Sequence, residues 1–340
     1  MDTTLNEFTP IFLNEFERIW NETLQELKYD QAQLIIGNRL RPQICLWGYL
    51  SLYPNIEVTN TSISNIASVS VSIEMIHKAS LLLDDWIDCD SERHGKPTFH
   101  KEYSPQETVL VALNLISISM YRLKSIFQGS NKKLPIHYFI CLDTLLNTIY
   151  SMAYGAINEI RLNNDTLYCT DVINNISNME TSKIIGNSLL LGYYVGLGEK
   201  NPDPIIVKHF SQIGETCGYI FQVMNDLEAF SNPEKLLSHK GNLNYDVSNN
   251  RKNIAIATLY ETANAFDKRK LKTAPNENLY SLIEKYHIIN LFKDQLEDLC
   301  KSLFDNVSAL VKENISIEWI SGFQYFLNYI KTYGENRLKK

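Results

Sequence analysis

The chain has 340 residues, 44% hydrophobic and 21% charged, a composition ordinary for a globular protein with an extensive core. A net charge of −7 excludes a nucleic-acid partner held by a general positive field. No uninterrupted apolar run reaches the ~18–20 residues that span a bilayer, and the polar start MDTTLNEF is not expected to be a signal peptide. The six cysteines, at 45, 89, 141, 169, 217 and 300, include no CxxC pair, which suits free thiols in a reducing cytoplasm.

Helical periodicity dominates, and no convincing period-two strand is found. Leu13, Phe16, Trp20, Leu24 and Leu27 give an apolar stripe behind Pro10, read as a first-turn proline. A second helix is expected to open near 37–42 and stop by Tyr53-Pro54, followed by a long one over about 62–90. Ser104-Pro105-Gln106-Glu107 reads as a capping box opening a helix that ends near Gly129. Further helices fit about 136–161, 171–198, 205–230 and 252–264, then 276–286, 288–312 and 316–333. With no Pro/Gly/Ser-rich linker and no repeat, the expectation is all-α: one helical bundle, a single domain over 1–340.

One stretch organises the chemistry: EMIHKASLLLDDWIDCDSERHGKPTFH, residues 74–100. An apolar helix runs into Asp84, Asp85 and Asp88. Positions four apart share a face, so Asp84 and Asp88 stack, while Asp85 is turned about 100° away. Carboxylates at the end of a buried helix repel one another unless a cation sits between them. Mg²⁺ answers that need, since it takes one or two carboxylates plus phosphate oxygens and water. The basic turn that follows, Arg93 to Lys96, supplies the phosphate side. A bare DDxxD is most often a solvated helix end, but the apolar lead-in and basic turn favour a metal-diphosphate site.

This stretch resembles the first aspartate-rich region of the trans-isoprenyl diphosphate synthase (polyprenyl synthetase) family. Other landmarks recur in order: GNRLRP at 37–42, Lys183 in METSK, FQVMNDLEAF at 221–230, and the segment from Lys240 to Lys252. The resemblance implies the isoprenoid synthase fold, a helical bundle around a central cavity, and a homodimer. It implies three Mg²⁺ ions around an allylic prenyl diphosphate, held by Asp84, Asp85 and Asp88 and by a second motif at Asn225 and Asp226. In that second motif Asn225 and Ala229 replace aspartates, and Glu228 is expected to compensate in part. Arg93, Lys183, Lys240 and Arg251 are expected on the leaving diphosphate, with Gln222 beside them; Asp84, Asp85, Lys183 and Asp226 carry the catalytic role. Isopentenyl diphosphate would be held by Asn38, Arg41, His77 and His94, where Asn38 replaces a lysine and His94 an arginine; Arg39 could cover part of that loss. Ala79 and Ser80 stand where bulky side chains would floor the cavity, which favours a fifteen- or twenty-carbon chain or longer unless Tyr150 or Tyr154 closes it.

Three functions follow from these features. In the first, an allylic diphosphate ionises and isopentenyl diphosphate attacks the cation. In the second, the cation is quenched by another acceptor, such as a peptide side chain, or by its own double bonds as in a terpene cyclase. The cyclase triad of Asn, Ser/Thr and Glu is absent, because Asn225 is followed by Ala229 and Pro233. In the third, the chain is a non-catalytic regulatory subunit, against which the intact first motif argues.

Overall fold

The computed structural model describes residues 3–27, 34, 37, 39–53, 58–93, 95–127, 135–163, 166–198, 200–231, 251–273, 275–310 and 315. Asn38, His94 and Lys240 lie outside the described residues, as does the helix expected over 316–333.

Helix α1, Thr3–Leu27, carries Pro10 inside it and not in its first turn. Burial of Phe12, Phe16, Trp20 and Leu24 outweighs the hydrogen bond a mid-helix proline removes. Helix α2 is Leu40–Leu50. Helix α3, Asn60–Ile87, opens on Thr59, whose hydroxyl accepts from Ser62 N while the Ser62 hydroxyl accepts from Thr59 N. It is buried on nearly every side, from Ile66 to Leu82, which is why it shows no single apolar stripe.

After α3 the chain makes a small hairpin that no period-two pattern announces. Its strands are β1, Glu92–Arg93, and β2, Lys96–Pro97, and Gly95 turns between them at φ 73°. A one-turn helix α4, Phe99–Glu102, leads to α5, Pro105–Phe127. The expected Ser104 cap is present: its hydroxyl accepts from Glu107 N and donates to the Glu107 carboxylate. Helix α6 is Ile136–Ile160.

The single helix expected over 171–198 is three pieces: α7, Thr170–Ser177, a π turn at Asn178–Ser182, and α8, Lys183–Gly196. Helix α9 is Pro204–Ser231, and α10, Ile254–Thr262, is capped by Asn253. A helix missed in sequence, α11 (Ala265–Thr273), has almost no apolar stripe and is announced only by its cap, where Asn264 Oδ1 accepts from Asp267 N. Helices α12, Pro275–Lys285, and α13, Ile288–Ala309, follow.

Helices α3 and α8 form the centre, with α1, α2, α5, α6 and α9 packed around them. Helices α2 and α8 approach so closely that a Cβ at Gly48 would lie 1.9 Å from Leu189 O, and one at Gly192 1.8 Å from Cys45 O. Among the described residues two helices, each interrupted by polar side chains, are long and apolar enough to cross a membrane by length and composition. The apolar window of α3 is 72% buried, that of α5 only 28%.

Candidate active site

The C-terminal end of α3 brings the first acidic group to one place. Asp85 is buried and accepts from Arg93 Nε at 2.8 and 2.9 Å, with Arg93 Nη2 at 2.5 Å. The hairpin makes this possible by folding back on itself, with Thr98 Oγ1 donating to Asp90 O. Burial raises the pKa of Asp85, while Arg93 opposes that rise. Asp84 is different: its side chain is 56% exposed, and Arg93 Nη2 is 3.7 Å away. Asp88 caps the helix and forms an ion pair with Arg251.

A cationic group stands behind Arg93. Burial, then the charges of Arg41, Lys78 and Arg93, hold the pKa of His77 well below 6.5, so its imidazole is neutral at physiological pH. Arg41 is also lowered by burial, opposed by Glu74, and its buried Nε has no hydrogen-bond partner among the described residues. Lys78 lies 3.8 Å from Glu74. Crowded cations repel, and an anion placed among them would relieve that cost.

Arg39 is engaged with α1, although its charge also acts on Lys78. Its Nε lies 2.7 Å from Glu17 Oε1, and its guanidinium stacks over Phe16 and Trp20 on α1. Its backbone is left-handed, at φ 54°.

The second motif lies where α9 meets the start of α10. Asp226 Oδ1 accepts from Gln222 Nε2 at 2.7 Å, and Oδ2 from Ile254 N at 2.7 Å. Thr181 donates to Gln222 Oε1, and Asn253 Nδ2 donates to Asp226 O. Asp226 thus fastens α9 to the start of α10. Asn225 is exposed and Glu228 is buried.

Lys183 lies apart from the acidic cluster. Its Nζ donates to Glu215 Oε1 at 2.8 Å, and both side chains are about two-fifths exposed. Glu215 precedes Asp226 by about 16 Å of helix. The π turn precedes Lys183, and within it Glu180 is the residue of METSK that pairs with Lys252. There Lys252 Nζ lies 2.5 Å from both Glu180 Oε2 and Glu159 Oε2. Sequence reading passed over this triad, although Glu159 closes an apolar helix much as Asp84 does.

Among the described residues no group of three or more His, Cys, Asp or Glu converges to hold a metal ion. Of the expected ligands, Asp85 pairs with Arg93 and Asp88 with Arg251, while Asp226 accepts from Gln222 and Ile254. Asp84, whose side chain is 56% exposed, is open to a hard cation that takes one or two carboxylates and completes its shell with phosphate and water, and Asp88 one turn on would join it by exchanging Arg251 for the ion.

The six cysteines are unpaired, as expected. Ala79 is buried in the core, and the Ser80 hydroxyl donates to His77 O at 2.8 Å. Tyr150 and Tyr154 stack on each other at 5.8 Å, exposed on the outer face of α6, so they do not close the groove within this chain.

The "Polyprenyl synthetase" family model matches residues 25–294. A chloroplastic geranylgeranyl pyrophosphate synthase of Capsicum annuum is 24% identical over 193 residues, 56% of this chain and 49% of that protein. The chain thus spans about half the length of that relative. A farnesyl diphosphate synthase of Buchnera aphidicola is 26% identical over 314 residues, 83% of this chain and 97% of that one. Among solved structures, Trypanosoma brucei farnesyl diphosphate synthase complexed with bisphosphonate superposes with a TM-score of 0.78 at 15% identity, covering 94% of this chain and 98% of that one. The fold is the all-α isoprenoid synthase fold, and the chain belongs to the polyprenyl synthetase family.

Proposed function

We propose that the protein is a Mg²⁺-dependent trans-prenyltransferase that condenses an allylic prenyl diphosphate with isopentenyl diphosphate. The observation that carries this reading is the position of Arg93. It is bound to Asp85, and its charge also acts on His77 and Lys78, so an acidic and a cationic subsite meet at the end of one helix.

Asp84 and Asp88 would hold the metal. Bound there, Mg²⁺ supplies positive charge to the departing diphosphate. The allylic C–O bond breaks with its electron pair leaving on that diphosphate. Arg41 and neutral His77 orient the second diphosphate so that the isopentenyl double bond attacks the allylic carbon. A new C–C bond forms, and the released diphosphate accepts the proton whose loss restores the alkene. The apolar faces of α3 and its neighbours keep water from the cation. Ala79 and Ser80 leave room for a chain of fifteen or twenty carbons or longer.

The same reading makes the protein a homodimer. Leu110, Leu113 and Tyr121 on α5, with Phe139, Leu146 and Tyr150 on α6, are each at least half exposed. Large apolar side chains along two neighbouring helices make a surface that pairing with a second copy would bury. Sedimentation equilibrium should give twice the chain mass, and Leu113→Asp should shift it toward one.

The deciding experiment is incubation with ten-, fifteen- and twenty-carbon allylic diphosphates and Mg²⁺, with and without isopentenyl diphosphate, followed by product analysis. Lengthened diphosphates are expected only when isopentenyl diphosphate is present. Cyclic hydrocarbons or alcohols formed without it would make the protein a cyclase, and no turnover of any substrate would remove the enzymatic reading.

A further inference from the structure

Helix α11 carries Lys268, Arg269, Lys270 and Lys272, four cations within five positions of a chain whose net charge is −7. Phe266, Arg269 and Lys272 stand three apart and so share one face of the helix. That face is exposed, Phe266 to 66%, and Lys268 and Lys270 flank it half-buried. Asp267 and Leu271, four apart on the opposite face, are buried, and Leu271 seats the helix in the core. The one acid of α11 is thus spent inward: Asp267 accepts from Lys285 Nζ at 2.5 Å and from the Tyr286 hydroxyl at 2.8 Å.

The ammonium groups of this helix rest on aromatic rings. Lys268 Nζ and Lys272 Nζ lie 5.4 and 5.3 Å from the centre of the Tyr260 ring, against which Tyr168 stacks at 4.5 Å. Lys270 Nζ lies 4.6 Å from the centre of the exposed Phe266 ring. A cation–π contact orients a lysine without cancelling its charge. Among the described residues, the one carboxylate within ion-pair distance of these four cations is Asp267, 4.0 Å from Lys270. Glu261, near the end of α10, is turned to Thr170 and accepts from its N and its hydroxyl.

We propose that the outward face of α11 is a docking surface for a membrane rich in anionic phospholipid. Headgroup phosphates meet Lys268, Arg269, Lys270 and Lys272, and the Phe266 ring enters the boundary between headgroups and acyl chains. Charge alone would serve any polyanion. The exposed phenyl ring, set among the cations on the same face, favours a lipid surface over an acidic protein segment. Burial of Leu271 and the ties on Asp267 fix the helix so that ring and cations point outward together. The chain as a whole is acidic, so an anionic surface attracts it only through a local basic face and repels the rest. The inference is independent of the reaction the protein performs.

The test is cosedimentation of the full-length protein with vesicles of phosphatidylcholine alone and of phosphatidylcholine with about one-third phosphatidylserine. The wild type should bind the mixed vesicles and not the neutral ones, and raising salt from about 0.1 M to about 0.5 M should release it. Arg269→Gln combined with Lys272→Gln should lower the partition coefficient roughly twenty-five-fold, about fivefold for each charge. Phe266→Ser should lower it severalfold and leave its salt dependence unchanged. All three side chains are exposed, so circular dichroism should show the wild-type helix content. Equal binding to both kinds of vesicle, binding to neither, or a partition coefficient that either variant leaves unchanged overturns the proposal. Tighter binding to soluble polyglutamate than to the mixed vesicles makes an acidic protein segment the partner and overturns it as well.

Discussion

The guanidinium of Arg251 meets the carboxylate of Asp88, joining the segment before α10 to the C-terminal cap of α3. A cation at a helix C-terminus is favourable in itself, and here the pair is also shielded, with side chains 14% and 10% exposed. Removing one partner leaves a buried charge without compensation. Arg251→Met should therefore cost about 3–5 kcal/mol of stability, read by urea denaturation without Mg²⁺. A loss below about 1 kcal/mol would mean that water already compensates Asp88.

Asp84 makes the opposite case. Its side chain is 56% exposed, so Asp84→Ala should change stability by no more than about 0.5 kcal/mol. Mg²⁺-dependent diphosphate release should fall by a factor on the order of a hundred or more, because a charged ligand to the metal is gone. Near-normal release with an unchanged denaturation midpoint would remove Asp84 from the site.

Arg41 carries a buried cation with an unpartnered Nε. Burial lowers its pKa, which marks the charge as costly to the folded state. Arg41→Met should leave stability unchanged or raise it, yet increase the apparent KM for isopentenyl diphosphate by roughly tenfold to a hundredfold, as one charge-assisted contact is lost. Affinity for the allylic diphosphate should barely move. A parallel loss of both affinities would place Arg41 between the two subsites.

Glu180 gives the protein a pH dependence near neutrality. Burial raises its pKa to about 7, against the pull of Lys252 and with the added push of Glu159 and Asp84. The folded state therefore holds this proton more tightly than the unfolded chain, where the pKa is the ordinary 4.5. The stability so gained is complete below that value and is lost as pH rises through 7. The other two members titrate elsewhere: Glu159 is lowered below the usual glutamate value, and Lys252 is raised above the usual lysine value. Glu180→Gln mimics the protonated form at every pH, so its melting temperature should gain on the wild type by several degrees between pH 5 and pH 8. Parallel melting curves across that range would mean Glu180 is already ionised at pH 5.

Much of this was legible in the chain itself. The long helices, the Ser104 cap and the pairing of Asp84 with Asp88 follow from short-range periodicity, because a helix fixes which residues share a face within a few positions. Arg93 could be placed near the acids because only a short turn separates them. Tertiary structure alone decided what those charges touch. Arg39 looked available beside Asn38 and is drawn instead to Glu17 on α1. Lys183 was the obvious cation in METSK, but it pairs with Glu215, and Glu180 in the π turn pairs with Lys252. Asp226 retained its place in the second motif and became a tie between α9 and α10. The clamp on Lys252 needs α6, the π turn and the segment before α10 together. No local pattern encodes such a meeting, since a side chain's partner is set by how distant helices pack, and packing depends on clearances such as the one Gly155 leaves for Glu180.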